Sequence, residues 1–212
     1  MKSLLLLSQL FASLATAGRG GRLPSHHDGH EDSPYHQDHW TRPHDPDHSS
    51  VPLAEDYNCK VTYHGVYRDQ IEYFLSIPFA QSTGGANRFA PPKPVVSSPG
   101  SSIYAQSPGP ACPQSLGQGA APLYLSNITE ISEDCLHLNV ARPNGTKAGD
   151  NLPVLVYIHG GSFNLGSKDE IVSQPGGMIL ESVANGLPII HVAMNYRLGG
   201  KSTQPEAVEA SS

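Results

Sequence analysis

Two uninterrupted apolar runs constrain the fold of this chain more than any other feature. They span residues 153–158 and 188–194, and between them lie a glycine-rich turn and a helix candidate over residues 178–185, which ends at Gly186. Strands without polar alternation are typical of a sheet that is covered on both faces. The order of strand, turn, helix and strand predicts a βαβ unit. The sequence therefore predicts an α/β fold.

Other segments add elements before this unit. Residues 71–77 are rich in aromatic and branched side chains, and residues 136–140 alternate apolar and polar ones, so both predict strands. Residues 60–67 predict a short hairpin around Gly65. Residues 90–122 are rich in proline, serine and glycine, which predicts a loop.

The first 55 residues predict no folded domain. A positive start, a short apolar core and a small-residue site before Gly18 predict a cleaved signal peptide over residues 1–17, too short to span a bilayer. Residues 18–55 are rich in histidine and lack apolar periodicity, which predicts a disordered leader. Metal binding by this leader is the alternative, although its spacing defines no metal site. We expect order to begin near Cys59.

Cysteines and sequons fit an exported protein. The three cysteines, Cys59, Cys112 and Cys135, leave one thiol free or available for an intermolecular bridge. N-glycosylation sequons begin at Asn127 and Asn144. With the signal peptide, these features predict a secreted glycoprotein that contains a disulfide. The formal net charge of −6 and the 15% charged fraction argue against a nucleic-acid partner. No other segment is long enough to cross a membrane, and we expect no cofactor.

Several motifs occur in one fixed order along the chain. They are Ile77-Pro78-Phe79-Ala80, Asn87-Arg88-Phe89, Cys112-Pro113-Gln114, Ser132-Glu133-Asp134-Cys135-Leu136, His159-Gly160-Gly161-Ser162-Phe163 and Asn195-Tyr196-Arg197-Leu198-Gly199. Together they resemble the type-B carboxylesterase/lipase family of the α/β-hydrolase fold, over about residues 60–199. That family includes secreted lipases, carboxylesterases, cholinesterases and non-catalytic adhesion proteins.

The resemblance implies roles for individual residues. The backbone N–H groups of Gly161 and Ser162 would form the oxyanion hole, which stabilises the negative oxygen of the tetrahedral intermediate. The family often has a third glycine where this chain has Ser162. Cys112 and Cys135 would form a disulfide around the loop of residues 113–134.

Two further positions bear on the loop and on the substrate. Arg88 and Glu133 match a buried ion pair that ties the early segment to the loop; the alternative is a surface pair of little value. Leu125 stands where cholinesterases carry a tryptophan, so the cation–π platform for choline is missing. The resemblance therefore implies a neutral ester or a lipid as substrate of the full-length protein.

The catalytic triad of the family is missing from these residues. A serine hydrolase of this fold needs a Gly-x-Ser-x-Gly elbow, then an acid and a histidine. The closest string, residues 160–164, lacks the final glycine and belongs to the oxyanion turn, so Ser162 is not predicted to be the nucleophile. His159 and His191 precede any elbow. We expect His159 to orient the turn and His191 to lie in or beside the last strand.

The resemblance ends at Gly199, and residues 200–212 predict an unrelated polar tail. A retained intron, a frameshift, a wrong gene model or a real alternative terminus would each produce such an edge. We expect the strand over residues 188–194 to lack its partner strand, which favours aggregation. Arg197 is expected to lack its acidic partner.

The sequence predicts the N-terminal part of an α/β-hydrolase over residues 56–199, truncated before the nucleophile elbow. Its predicted function is that of an incomplete carboxylic-ester hydrolase, which carries an oxyanion turn but no catalytic residue and is inactive alone. A non-catalytic secreted binding module of the same family and a metal-binding protein acting through its leader are the alternatives.

Overall fold

The computed structural model describes residues 51–115, 125 and 128–202. The predicted signal peptide, the leader up to residue 50, the sequon asparagine Asn127 and residues 203–212 of the predicted tail lie outside the described residues. In the described part, no helix is long and apolar enough to cross a membrane.

Within the described residues the elements are eight strands and one α-helix, here called α1, with short 3₁₀ turns between them. In chain order they are β1 (Leu53–Asp56), β2 (Val61–His64), β3 (Val66–Arg68), β4 (Ile71–Pro78), β5 (Ser102–Tyr104), β6 (His137–Pro143), β7 (Val154–Ile158), α1 (Gly176–Ala184) and β8 (Ile190–Met194). β1 begins before Cys59, so the expectation that order begins near Cys59 was wrong, and residues 53–55 of the predicted leader belong to a strand.

A five-stranded sheet with the order β3-β4-β6-β8-β7 forms the body of the fold. β7 and β8 are parallel and are connected through α1, which confirms the predicted βαβ unit. α1 begins at Gly176 and ends at Ala184, against the predicted helix over residues 178–185. Gly186 follows its end as predicted, with a φ of +68°, which glycine adopts without steric cost. The remaining pairs are antiparallel, so the sheet is mixed. The α/β class is confirmed.

Residues 60–67 form no hairpin, because β2 and β3 belong to different sheets. β2 lies in a three-stranded sheet between β1 and β5, whereas β3 pairs with β4. The chain crosses between the sheets at Gly65, where a Cβ would lie 2.5 Å from the main-chain oxygen of Tyr73. The predicted loop over residues 90–122 likewise contains β5, which is a strand because it pairs with β2.

The strand over residues 188–194, which was expected to lack its partner strand, pairs with two strands. β8 lies between β6 and β7, with Val192 opposite Val140 on one side and Val156 on the other. Because β8 lies inside the sheet, its side chains are enclosed, and Val192 is fully buried. The open edge belongs instead to β7, which has no second partner strand among the described residues. Ile158 on this edge strand is 64% exposed.

The two faces of the large sheet pack against different layers. On one face Phe74, Leu138 and Val192 form the main core, against which Ala54 and Tyr63 of the small sheet pack. Burying side chains of this size stabilises the fold by about 1.5–3 kcal/mol each. The other face packs against α1 through a smaller cluster of Ile71, Ala141 and Ile179.

Candidate functional site

The candidate site lies at the shared end of the two parallel strands. Ile158, the last residue of β7, stands opposite Met194, the last residue of β8. Parallel strands end at the same edge of a sheet, which is where α/β proteins place their ligand sites. The loops that begin at His159 and at Asn195 therefore leave the sheet side by side.

The loop after β7 is a tight turn with an unusual backbone. Gly161 has a φ of +106°, and a Cβ on it would overlap the main-chain oxygen of Leu165, so only glycine fits. Ser162 and Phe163 follow with φ values of +52° and +60°. Left-handed backbone at residues with side chains costs about 1–3 kcal/mol each, and such strain is concentrated at functional sites. The Gly161 oxygen closes the turn by accepting the N–H groups of Asn164 and Leu165 at 3.0 and 3.2 Å.

The two N–H groups assigned to the oxyanion hole are adjacent in this turn. Among the residues that the structure describes, neither the N–H of Gly161 nor that of Ser162 has a hydrogen-bond acceptor. Ser162 is exposed, so its N–H lies at the surface of the turn. Two neighbouring donors without acceptors can bind a negatively charged oxygen.

Tyr196 holds this turn against the end of β8. Its hydroxyl donates to the main-chain oxygen of His159 at 2.8 Å, and its ring stacks on the His159 imidazole with a centroid distance of 4.3 Å. The N–H of Gly199 donates to the oxygen of Phe163 at 2.7 Å. The Asn195–Gly199 motif therefore fixes the turn.

His159 is buried beneath the turn, with 3% of its surface exposed. Its Nδ1 lies 2.9 Å from the main-chain oxygen of Gly160, so Nδ1 carries a proton. Burial lowers the pKa of His159, and the contact with the Gly160 oxygen opposes this effect. The imidazole is therefore held neutral, in a position from which it orients the turn. His191 lies within β8, as part of the last strand.

A buried polar cluster supports the site, and the sequence did not reveal it. The Asn195 side chain accepts the N–H of Lys168 at 2.8 Å and donates to the oxygens of Pro110 and Cys135, each at 3.0 Å. It thus connects the end of β8 to both sides of the disulfide loop. In the sequence, Ser167 to Glu170 is a polar run that is typical of an exposed loop, yet all four residues are buried.

The expected disulfide forms, whereas the expected ion pair forms but is not buried. Cys112 and Cys135 form a disulfide with a Cα–Cα distance of 5.0 Å, and Cys59 is free and exposed. Arg88 donates twice to the Glu133 carboxylate, at 2.8 and 2.7 Å. The pair is not buried, however, because the Arg88 side chain is 49% exposed. Solvent reaches the Arg88 side chain and therefore screens the charges.

The remaining predicted site residues are spread over the surface. Asn144 is exposed in the turn after β6, as a glycosylation site requires. Arg197, expected to lack its partner, donates to the main-chain oxygen of Ala90 at 2.7 Å.

Among the described residues, the Ser162 hydroxyl has no hydrogen-bond partner, so no base is placed to activate it. In the same part of the chain, no group of three or more potential metal ligands occurs.

Comparison with known proteins decides the family. Residues 60–200 match the sequence model of the carboxylesterase family. The chain belongs to the carboxylesterase family. Solved carboxylesterase structures agree with this assignment. A thermophilic pNB esterase superposes with a TM-score of 0.57 at 31% identity, over 67% of this chain and 27% of that one. EstA of Aspergillus niger gives a TM-score of 0.57 at 26% identity, over 73% and 27%.

Curated relatives in the carboxylesterase family carry different descriptions. The chain is 45% identical over 149 residues to the inactive carboxylesterase-like protein VdtD of Byssochlamys spectabilis. It is 47% identical over 148 residues to a secreted lipase of Arthroderma benhamiae. Each match covers 70% of this chain and 25% of the relative, so the chain spans about a quarter of the length of the curated relatives it matches. The α/β-hydrolase fold and the family expected from the motifs are confirmed.

Proposed function

We propose that this chain supplies the oxyanion turn of a carboxylic-ester hydrolase, with the N–H groups of Gly161 and Ser162 as donors. The observation that carries the proposal is the pair of adjacent N–H groups without acceptors, in a turn whose shape depends on Gly161. Ester hydrolysis passes through a tetrahedral intermediate with a negative oxygen. A donor fixed in advance beside that oxygen lowers the barrier by about 3–4 kcal/mol.

The 212 residues by themselves are proposed to be inactive. They contain no Gly-x-Ser-x-Gly elbow, and the hydroxyl of Ser162 has no base beside it in the described part of the chain. For a complete hydrolase that includes this turn, the proposed substrate is a small or lipid carboxylic ester. The secreted lipase of Arthroderma benhamiae supports an ester substrate and export.

A second candidate function is a non-catalytic binding module of the same family. It is favoured by one observation, the 45% identity to a relative described as an inactive carboxylesterase-like protein. The two functions differ in what they require of the turn. A hydrolase needs both donors aligned, whereas a binding module needs only a stable fold.

A segment exchange separates the two candidates. Residues 60–199 would replace the matching segment of Lipase 4 of Diutina rugosa, which is 43% identical over 141 residues. The proposal predicts hydrolysis of p-nitrophenyl butyrate by this chimera. Gly161→Ala keeps the N–H but forces the turn to shift, because its Cβ would overlap the Leu165 oxygen, so the donor should be displaced from the oxyanion. The expected fall in kcat is about 10²–10³-fold, the size of effect that follows the loss of one oxyanion donor.

Gly160→Ala is the matched control, because a Cβ at Gly160 would meet no atom of the described residues within 4 Å. It should leave kcat nearly unchanged. A folded chimera that is inactive with an intact turn, or one that keeps its kcat with Gly161→Ala, would favour the binding module.

A further inference from the structure

A cavity of about 160 Å³ lies on the α1 side of the five-stranded sheet. Residues of β4, β6 and β8 form its floor, and residues 168–175 cover it. None of residues 159–163 lines it, so it is separate from the oxyanion turn. The space exceeds the roughly 30 Å³ that one water occupies in the liquid, so a small molecule fits.

His191 on the floor of this cavity is a buried residue whose ring nitrogens are not fully enclosed and make no hydrogen bond within the described residues. The residue is 3% exposed, and among the described residues neither ring nitrogen has a hydrogen-bond partner. Burial alone lowers its pKa, so the ring is neutral and offers one N–H donor and one acceptor. Ring nitrogens that are unpaired and still accessible at a cavity wall are available to hydrogen-bond a ligand in the cavity.

Lys168, in the segment that covers the cavity, has N–H donors that no acceptor in the described residues occupies. The residue is 2% exposed, and its ammonium group has three N–H donors. In the described part of the chain, the one acceptor that this ammonium group contacts is the Asp169 carboxylate. The other Asp169 oxygen accepts from the Asn139 side chain at 2.7 Å. Lys168 can therefore donate to a further acceptor inside the cavity.

The charges and walls of the cavity define the class of ligand. Lys168 and Asp169 balance each other, while Arg68 is exposed at the rim and contacts the Tyr73 ring with its guanidinium group. The lining therefore has an excess of one positive charge, which favours a monoanion. Leu75 and the alanines of β6 and β8 provide an apolar wall that suits a short alkyl chain.

We propose that this cavity binds a short-chain carboxylate, such as propionate. Its carboxylate oxygens accept hydrogen bonds from Lys168 and His191, and its alkyl group packs against Leu75 and Ala193. This assignment does not depend on the proposed ester hydrolysis, because the cavity and the oxyanion turn share no residue.

Saturation-transfer NMR on propionate tests the proposal with the full 212-residue chain. The signals are observed on propionate, so self-association of the chain does not obscure them. The expected result is a saturable propionate signal that butyrate displaces and that chloride at equal ionic strength does not. Ala193→Leu, which fills the cavity, should weaken binding at least about tenfold, or about 1.4 kcal/mol. Ala184→Leu is the matched control, because Ala184 is exposed and does not line the cavity.

A second readout avoids dependence on the folding of a variant. In chain labelled with ¹⁵N-histidine, propionate should shift the imidazole resonances of His191 and leave those of His64, on the other sheet, in place. No saturable binding, equal displacement by chloride, undiminished binding by folded Ala193→Leu, or shifts absent from His191 would each overturn the proposal.

Discussion

The hydroxyl of Tyr196 donates a 2.8 Å hydrogen bond to the main-chain oxygen of His159, and the two rings stack at 4.3 Å. Tyr196 follows β8 and His159 follows β7, so this contact joins the loops that leave the ends of two parallel strands. The turn at Gly161, for which the oxyanion role is proposed, is therefore positioned by the neighbouring strand as well as by its own glycines.

Replacing Tyr196 with phenylalanine should loosen the turn. The stacked ring remains, but one hydrogen bond is lost, so the free energy of unfolding should fall by about 1 kcal/mol. Amide hydrogen exchange at Asn164 and Leu165, whose N–H groups donate to the Gly161 oxygen, should become faster, because the turn opens locally more often. Tyr104→Phe is the control, since Tyr104 is 73% exposed. Unchanged exchange at both amides would show that Tyr196 does not position the turn.

Reducing the disulfide should destabilise the fold much more than removing the free thiol. The Cys112–Cys135 bond closes a loop of about 22 residues, which in the chain-entropy model contributes about 3 kcal/mol. Cys59→Ser should have little effect, because Cys59 is exposed and free. Urea unfolding with and without reductant measures both changes. Non-reducing peptide mapping that found Cys59 bonded to Cys112 would contradict the assigned pairing.

The open edge of β7 should make the chain self-associate. Its apolar side chains are partly exposed, with Ile158 at 64%, and an unpaired apolar edge is a template for pairing with another strand. Ile158→Lys should shift the chain towards the monomer in sedimentation-velocity experiments. Leu187→Lys controls for general loss of surface hydrophobicity, because Leu187 is 73% exposed outside any strand. Equal effects of the two substitutions would argue against edge pairing.

Acid should destabilise the fold through its buried histidines. Desolvation lowers the pKa values of His137, His159 and His191 below the ordinary value of about 6.5. As the pH falls from 7 to 5, the unfolded chain takes up more protons at these sites than the folded chain does. The free energy of unfolding should therefore decrease over this range, until the folded-state pKa values are reached.

Urea titrations at several pH values measure this decrease. His191→Gln removes one of the three groups, so the dependence on pH should become shallower in that variant. Stability that is flat or rises from pH 7 to pH 5 would show that the histidines are not held neutral.

Local patterns in the sequence predicted where the strands and the helix lie, but not which strands pair with each other. The apolar runs and Gly186 predicted β7, α1 and β8, because burial and helix termination depend on nearby residues. The supposed hairpin at Gly65 failed because one glycine fits a turn and a crossing between sheets equally well. The neighbours of β8 were wrong because strand order is set by residues far apart in the chain.

In the candidate site, too, the sequence predicted local features but not contacts between residues far apart in the chain. The His159-Gly160-Gly161 motif predicted the turn, since its backbone shape depends on the glycines themselves. The burial of Lys168 and Asp169 could not be predicted, because their polar groups are paired through Asn139 and Asn195, which lie on other strands or loops. A polar run becomes buried only when distant partners satisfy it.

Labelling with a fluorophosphonate probe tests the central claim most directly. The proposed function requires a turn that supplies oxyanion donors and a Ser162 hydroxyl that is not activated, and no base contacts that hydroxyl in the described residues. Mass spectrometry of the purified, folded chain should find no labelled serine under conditions in which an active lipase is labelled fully. Stoichiometric labelling of any serine would contradict the account, and labelling at Ser162 would make that residue the nucleophile.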